Sequence, residues 1–145
     1  MIRRVISPPT PTVLVLDGDP EMRSRLDRLL VLQGFTPIHA ANAAAAIVAA
    51  DESQVDAFIL DRKLLDDQPG LEVLAWVRRH PRYRLAPVFV LTGVPHFDDT
   101  DQTLIRHHWA FVFYKGYSLQ VLMEYVNRVL DGLNRLRNAP HRAGT

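Results

Sequence analysis

Short apolar runs that each end in a polar side chain are the feature that most constrains the fold of this chain. Four of them stand out, at 13–16, 55–60, 88–91 and 111–114. The residues that follow or close them are two acids, a hydroxyl and an amine: Asp17, Asp61, Thr92 and Lys115. Runs of this kind are typical of strands buried on both faces of a parallel sheet. Because parallel strands end at a common edge, we expect the four side chains to converge there.

Helical segments alternate with the apolar runs. Pro20 suits the first position of a helix that Asp19 caps and Gly34 ends. Further helices are predicted at about 43–50 with Asn42 as cap, at 71–79, at about 101–108 and from Ser118 onwards, with a weaker strand at 35–40. The alternation predicts an α/β fold, a doubly wound parallel sheet with helices on both faces.

The apolar face of the last helix is predicted from its periodicity. Residues three and four apart share a face, which predicts the following buried stripe: Leu122, Tyr125, Val126, Val129 and Leu133. Before the fifth strand, His107 and His108 are adjacent and therefore point in different directions on a helix. We expect them to be surface residues beside a packed Trp109 rather than metal ligands.

Length and composition restrict the class of protein. A chain of 145 residues fits one domain, which we place at 12–136, between an extended proline-containing leader at 1–11 and a flexible tail at 137–145. The 17 basic and 16 acidic residues nearly balance, which argues against a nucleic-acid or membrane partner, and the absence of cysteine excludes thiolate chemistry. We expect a cytoplasmic protein.

The strand ends and their neighbours resemble a response-regulator receiver domain of two-component signalling over about residues 12–133. The motifs that carry the resemblance are Leu16-Asp17-Gly18-Asp19-Pro20, Leu60-Asp61 followed by Gly70-Leu71-Glu72-Val73-Leu74, Val90-Leu91-Thr92-Gly93 and Tyr114-Lys115-Gly116. The resemblance implies a flavodoxin-like (βα)5 fold with strand order 2-1-3-4-5. It also implies Mg²⁺-dependent phosphoryl transfer from a sensor histidine kinase or phosphotransfer protein onto an aspartate of the receiver itself.

The resemblance assigns a role to each matching position. Asp61 matches the phosphoacceptor, Thr92 the switch hydroxyl and Lys115 the phosphate-pairing amine. Asp17 and Asp61 match Mg²⁺ ligands, together with the main-chain carbonyl of Lys63. These residue types suit that chemistry, because Mg²⁺ is usually held by one or two carboxylates with phosphate oxygens and waters.

Three positions depart from the family pattern. Gly18 stands where a second acidic metal ligand is expected, so Mg²⁺ binding should be weakened or lost. Val112 replaces an aromatic residue that rotates on activation, and Gly116 replaces a proline. The alternative to a phosphorylated receiver is therefore a pseudo-receiver that signals by binding alone.

The family signals through the face formed by the helix at 101–108, the fifth strand and the last helix. In this chain that face includes three aromatic residues, Trp109, Phe113 and Tyr117. If exposed, they favour contact with a downstream protein partner or with a second copy of the chain.

The motif after the first strand also fits a second class of function. Asp17-Gly18-Asp19 also fits the Asp-x-Asp signature of haloacid-dehalogenase-like phosphatases, in which Asp17 would be the nucleophile and Asp19 the acid. This alternative leaves Asp61 without a role, and Asp19 equally suits the helix cap already described.

Overall fold

Five parallel strands form the single sheet of the molecule in the computed structural model, which describes residues 10–62, 71–93, 103, 105–116 and 118–137. The strands are β1 (Thr12–Leu16), β2 (Thr36–Ala40), β3 (Ala57–Asp61), β4 (Val88–Thr92) and β5 (Phe111–Tyr114). Their order is β2-β1-β3-β4-β5, and every neighbouring pair is parallel. The predicted doubly wound, flavodoxin-like sheet is confirmed.

Helices alternate with the strands. They are α1 (Pro20–Leu32), α2 (Ala43–Glu52), α3 (Leu71–Arg79) and α4 (Leu119–Arg137), and residues 103 and 105–107 are also helical. Of these, α1 and α2 begin at the predicted caps, Asp19 and Asn42. The side chain of Asn42 accepts a hydrogen bond of 2.8 Å from the Ala45 amide, which satisfies one of the unpaired donors at the start of α2. Gly34 follows α1 with a φ of 88°, a backbone conformation that is strained for any residue with a side chain.

The sheet separates two apolar cores. One face packs against α2, α3 and Ile105, and its largest fully buried side chain is Phe58. The other packs against α1 and α4 around Phe89. β1, β3 and β4 are buried along nearly their whole length, which explains why their sequences are continuously apolar rather than alternating.

Helix α4 buries part of the predicted stripe. Its buried residues are Leu119, Leu122, Met123, Val126 and Leu130. Tyr125, predicted to be buried, is 45% exposed and packs its ring edge-on against Phe113, 5.2 Å away, at the sheet edge. Leu122 and Val126 are buried as predicted, and the prediction was wrong for Tyr125, because Leu119 and Met123 reach the Phe89 core and Tyr125 falls beside it.

The predicted packing of Trp109 is also wrong. Trp109 is 72% exposed, and its φ of 56° places it in the left-handed region, in a turn before β5. The tryptophan that packs against the core is Trp76, on α3.

The predicted leader and tail lie mostly outside the described residues, at 1–9 and 138–145. In the described part of the chain, no helix is both long enough and apolar enough to cross a membrane.

Candidate functional site

The register of the sheet brings the four predicted side chains to one edge. Leu16 pairs with Leu60 across β1 and β3, so Asp17 and Asp61 follow at the same level. Thr92 ends β4, and its carbonyl accepts a hydrogen bond of 2.7 Å from the Lys115 amide. Each polar residue comes directly at or after the end of an apolar strand, so the fold positions all four without any special loop conformation.

Lys115 joins the two carboxylates. Its Nζ lies 3.2 Å from Oδ2 of Asp17 and 3.1 Å from Oδ1 of Asp61. Asp17, Asp61 and Thr92 are the buried polar residues of the described chain, while the lysine side chain is 21% exposed. Two largely buried anionic groups therefore meet one partly exposed cationic group.

The charges of this site act on one another. Burial on its own would lower the pKa of Lys115, and it is the largest single influence on that group. The attraction and hydrogen bonds of Asp61 and Asp17 together outweigh it and raise the pKa of Lys115 above its ordinary value. The ammonium is therefore charged at neutral pH.

Asp17 is held by more than the lysine. Its Oδ1 accepts a hydrogen bond of 2.9 Å from the Asp19 amide. The Arg23 guanidinium, one turn into α1, donates 2.7 Å to the Asp17 main-chain carbonyl. Sequence reasoning missed Arg23, although its place on the first turns of a helix that starts at the site would have been a signal.

Asp19 has a structural role. Its Oδ1 accepts a hydrogen bond of 3.0 Å from the Glu21 amide and caps α1. The prediction of a helix cap is confirmed.

The donor set suits a weakly held Mg²⁺. Asp17 and Asp61 are two carboxylates close enough to share one ammonium, and one or two carboxylates are the usual protein contribution to a Mg²⁺ site. Within the described ranges, no three Asp, Glu or His side chains form a group that could hold a metal ion. Lys63, whose carbonyl was predicted as a further ligand, lies outside the described residues. The residues fit the ion, with fewer anionic ligands than an acid at position 18 would provide.

The end of β5 is shaped by a close contact. A Cβ on Gly116 would lie 2.7 Å from Cζ of the Tyr114 ring, so any larger residue there would displace that ring. Val112, at the position where an aromatic residue was expected, is 40% exposed. Gly116 therefore leaves room for the ring of Tyr114 next to Lys115.

The three aromatic residues predicted for the output surface have different environments. Trp109 is exposed, whereas Phe113 is partly buried and lies between Phe89 and Tyr125. Tyr117 lies outside the described residues. Sequence reasoning missed Phe111, which is 41% exposed on the edge strand.

Comparison with known proteins gives matches in sequence. The family model of the response regulator receiver domain matches residues 13–127. The transcriptional regulatory protein KdpE of Mycobacterium tuberculosis (strain H37Rv) is 36% identical over 92 residues, 63% of this chain and 39% of that protein. A putative response regulator, NtrX-like, of Rickettsia typhi is 37% identical over 82 residues, 56% of this chain and 17% of that protein. The chain thus aligns with less than half the length of these relatives.

Solved structures match in fold. The chemotaxis protein CheY4 of Vibrio cholerae superposes with a TM-score of 0.74 at 21% identity, over 83% of this chain and 99% of that one. A CheY-like receiver domain protein of Methanospirillum hungatei JF-1 gives 0.78 at 18% identity, over 88% and 98%. The response regulator TrrA of Thermotoga maritima, solved in complex with Mg²⁺ and BeF, gives 0.71 at 24% identity, over 83% and 99%. At these identities the likeness is one of fold.

Proposed function

We infer that this chain, which belongs to the response regulator receiver domain family of two-component signalling, accepts a phosphoryl group on Asp61. The single observation that carries the proposal is the position of the Lys115 ammonium, 3.1 Å from Asp61 and 3.2 Å from Asp17 at the buried strand ends. A cation held beside a carboxylate nucleophile is what phosphoryl transfer needs, since negative charge accumulates on the phosphoryl oxygens.

The proposed reaction uses the described side chains in turn. An Asp61 carboxylate oxygen attacks phosphorus and forms an acyl phosphate, while the bond from phosphorus to the donor breaks and the donor keeps its electron pair. The Lys115 ammonium then pairs with a phosphoryl oxygen, and the Thr92 hydroxyl donates to another. Asp17 would hold Mg²⁺ together with Asp61, and the Lys63 carbonyl is a further proposed ligand. When bound, Mg²⁺ would neutralise charge on the phosphoryl oxygens.

The partners belong to this proposal. We propose a sensor histidine kinase or a phosphotransfer protein as donor, in the cytoplasm, and a protein as the target of the output. The exposed aromatic residues of the β5 edge, Phe111 and Tyr125, together with Trp109, support contact with a downstream protein or a second copy of the chain.

A pseudo-receiver is the second candidate, and one observation favours it. With Gly18 in place of an acid, Lys115 pairs with both remaining carboxylates and neutralises one of their two charges. Such a site would attract Mg²⁺ weakly, and the chain would then signal by binding alone.

Intact mass after incubation with acetyl phosphate and Mg²⁺ tests the proposal. We expect a phosphate-sized gain that hydroxylamine removes and that is absent in Asp61→Asn. The same incubation with excess EDTA measures how far the gain depends on the metal. No gain at saturating donor would overturn phosphorylation and leave the pseudo-receiver.

A further inference from the structure

A groove lies at the end of the sheet opposite the Asp61 site, where β4 and β5 begin. It has a volume of about 380 Å³ and is lined by two parts of the chain, the end of α3 with the loop that follows it and the segment before β5. The lining residues are Arg78, Arg84, Leu85, His107, His108 and Trp109. The phosphoryl chemistry proposed above uses none of them.

Arg78 fixes the two walls of the groove to each other. Its Nε donates 2.7 Å to the carbonyl of His108 on one wall. Its Nη1 donates to carbonyls on the other wall, of Ala86 at 2.6 Å and of Arg84 at 3.2 Å. Because this guanidinium links main-chain atoms of both segments, the groove is a formed feature of the fold.

The groove carries positive charge that no acid on its lining offsets. Arg78 donates to carbonyl oxygens, and no carboxylate among the described residues is paired with it. Burial lowers the pKa of His108, and His107, Arg78 and Arg79 lower it further. Each of these groups is cationic or can become so, so His108 lies in a positive local field.

Two large apolar side chains flank this charge. Leu85 is 71% exposed and Trp109 is 72% exposed. The φ of 56° at Trp109 is rare for a bulky residue, and such strained conformations are found most often at functional sites. The turn therefore holds an indole ring in solvent at the rim of a cationic groove.

We propose that this groove is a docking site for an acidic peptide segment of a partner protein, with a leucine or aromatic anchor that inserts beside Leu85 and Trp109. The cations would pair with carboxylates on either side of the anchor, and the volume suits one or two inserted side chains. A surface of this composition, Trp and Arg with an apolar centre, is where binding energy concentrates at protein interfaces.

The surroundings favour a peptide over a nucleic acid. The nearby Arg82 and His80 are already engaged by Asp51, at 3.9 Å and 3.6 Å, which reduces the positive charge on that side of the groove. Recognition of a nucleic acid backbone needs a longer track of cations than this.

A selection experiment identifies the peptide chemistry. A phage-displayed library of random short peptides is selected on the full chain, with counter-selection on an Arg84→Glu variant. We expect the enriched sequences to combine Asp or Glu with Leu, Phe or Trp. The best peptide is then synthesised, and its affinity is measured by fluorescence anisotropy.

Groove variants and a matched control decide the proposal. Arg84→Glu and Trp109→Ala should each weaken binding by about tenfold or more, and added salt should weaken it further. Arg25→Glu, the same charge reversal at an exposed position on α1, should leave the affinity within about twofold. The pKa of His108, followed by NMR, should rise on binding, since carboxylates would then face it.

Other results would overturn the proposal. These are enrichment of neutral or basic peptides, equal binding by the wild type and both groove variants, or tighter binding of poly(dT) than of any selected peptide. A dimer that is lost in Leu85→Lys would assign the groove to a second copy of the chain instead. Asp61→Asn should bind the peptide as the wild type does, so this test is independent of phosphorylation.

Discussion

Among the single residues of the site, Lys115 connects the two strand-end carboxylates, and its removal tests how strongly they depend on it. In Lys115→Met, Asp17 and Asp61 would remain as two buried negative charges without the ammonium that lies between them. We expect the free energy of unfolding at neutral pH to fall by about 2–4 kcal/mol, less than for a fully buried pair because the lysine is partly exposed. Urea unfolding measures the change, and Lys115→Arg, which keeps the charge, should lose much less. An unchanged urea midpoint would contradict the role given to this ion pair.

The raised pKa of Lys115 predicts a pH dependence at the alkaline end. A group whose pKa is raised by folding contributes stability that is fully present below its ordinary pKa, here 10.5, and is lost as pH rises through the folded value. The difference in unfolding free energy between the wild type and Lys115→Met should therefore be constant near neutral pH and shrink above this value. Urea titrations over that range check it, and a difference that grows with pH would have the wrong sign.

Gly18 should set the affinity for Mg²⁺. Positive φ among the described residues is confined to Gly34 and Trp109, so Gly18→Asp needs no strained backbone and adds a carboxylate next to Asp17. We expect Mg²⁺ to bind tighter by on the order of tenfold, as measured by isothermal titration calorimetry. Gly132→Asp is the matched control, since it adds the same charge on α4 where an added Cβ meets nothing within 4 Å. Equal gains in both variants would show only a general charge effect.

At the scale of elements, the loop after α3 holds the end of α2 through one buried hydroxyl. The Tyr83 oxygen lies 2.6 Å from the Ala50 carbonyl and 2.7 Å from that of Ser53, and it accepts a hydrogen bond of 3.3 Å from the Val55 amide. Loss of this oxygen would leave main-chain groups unsatisfied at the start of β3.

Tyr83→Phe should therefore cost about 1–3 kcal/mol in unfolding free energy. The same change at Tyr125, which is 45% exposed, should cost much less, and thermal unfolding of the two variants compares them directly. Equal losses would mean that the hydroxyl of Tyr83 contributes no more than a solvated one.

The elements also differ in how well local sequence predicts them. Asp19 and Asn42 are caps whose signal lies within three residues of the bond they make, and both were predicted. The buried face of α4 was predicted in part, since Leu122 and Val126 are buried as predicted but Met123 is buried where Tyr125 was expected. Contact with Phe89 and its neighbours decides between them, and that contact is distant in the sequence.

For the whole molecule, one sheet divides two cores, so they should unfold together. Phe89 lies in one core and Trp76 packs against the other. The chain has two tryptophans, so a Trp109→Phe background leaves Trp76 as the fluorescent probe. In that background, Phe89→Ala should lower the unfolding free energy by about 3–5 kcal/mol. The urea midpoints from Trp76 fluorescence and from far-UV circular dichroism should shift equally. A Trp76 transition that stays at the wild-type midpoint would show two independent cores.

Continuous apolar runs, caps and terminal polar residues are local patterns, so they were enough to predict the order of strands and helices along the chain, the strand-end carboxylates and the family. Which side chains meet is a property of the folded chain. The pairing of Lys115 with Asp17 spans 98 residues, and no local pattern states its distance. The exposure of Trp109 and the groove held by Arg78 likewise depend on how two separate segments meet at the sheet end. Burial and ion pairing are set by such long-range contacts, whereas secondary structure is set largely by neighbours in the chain.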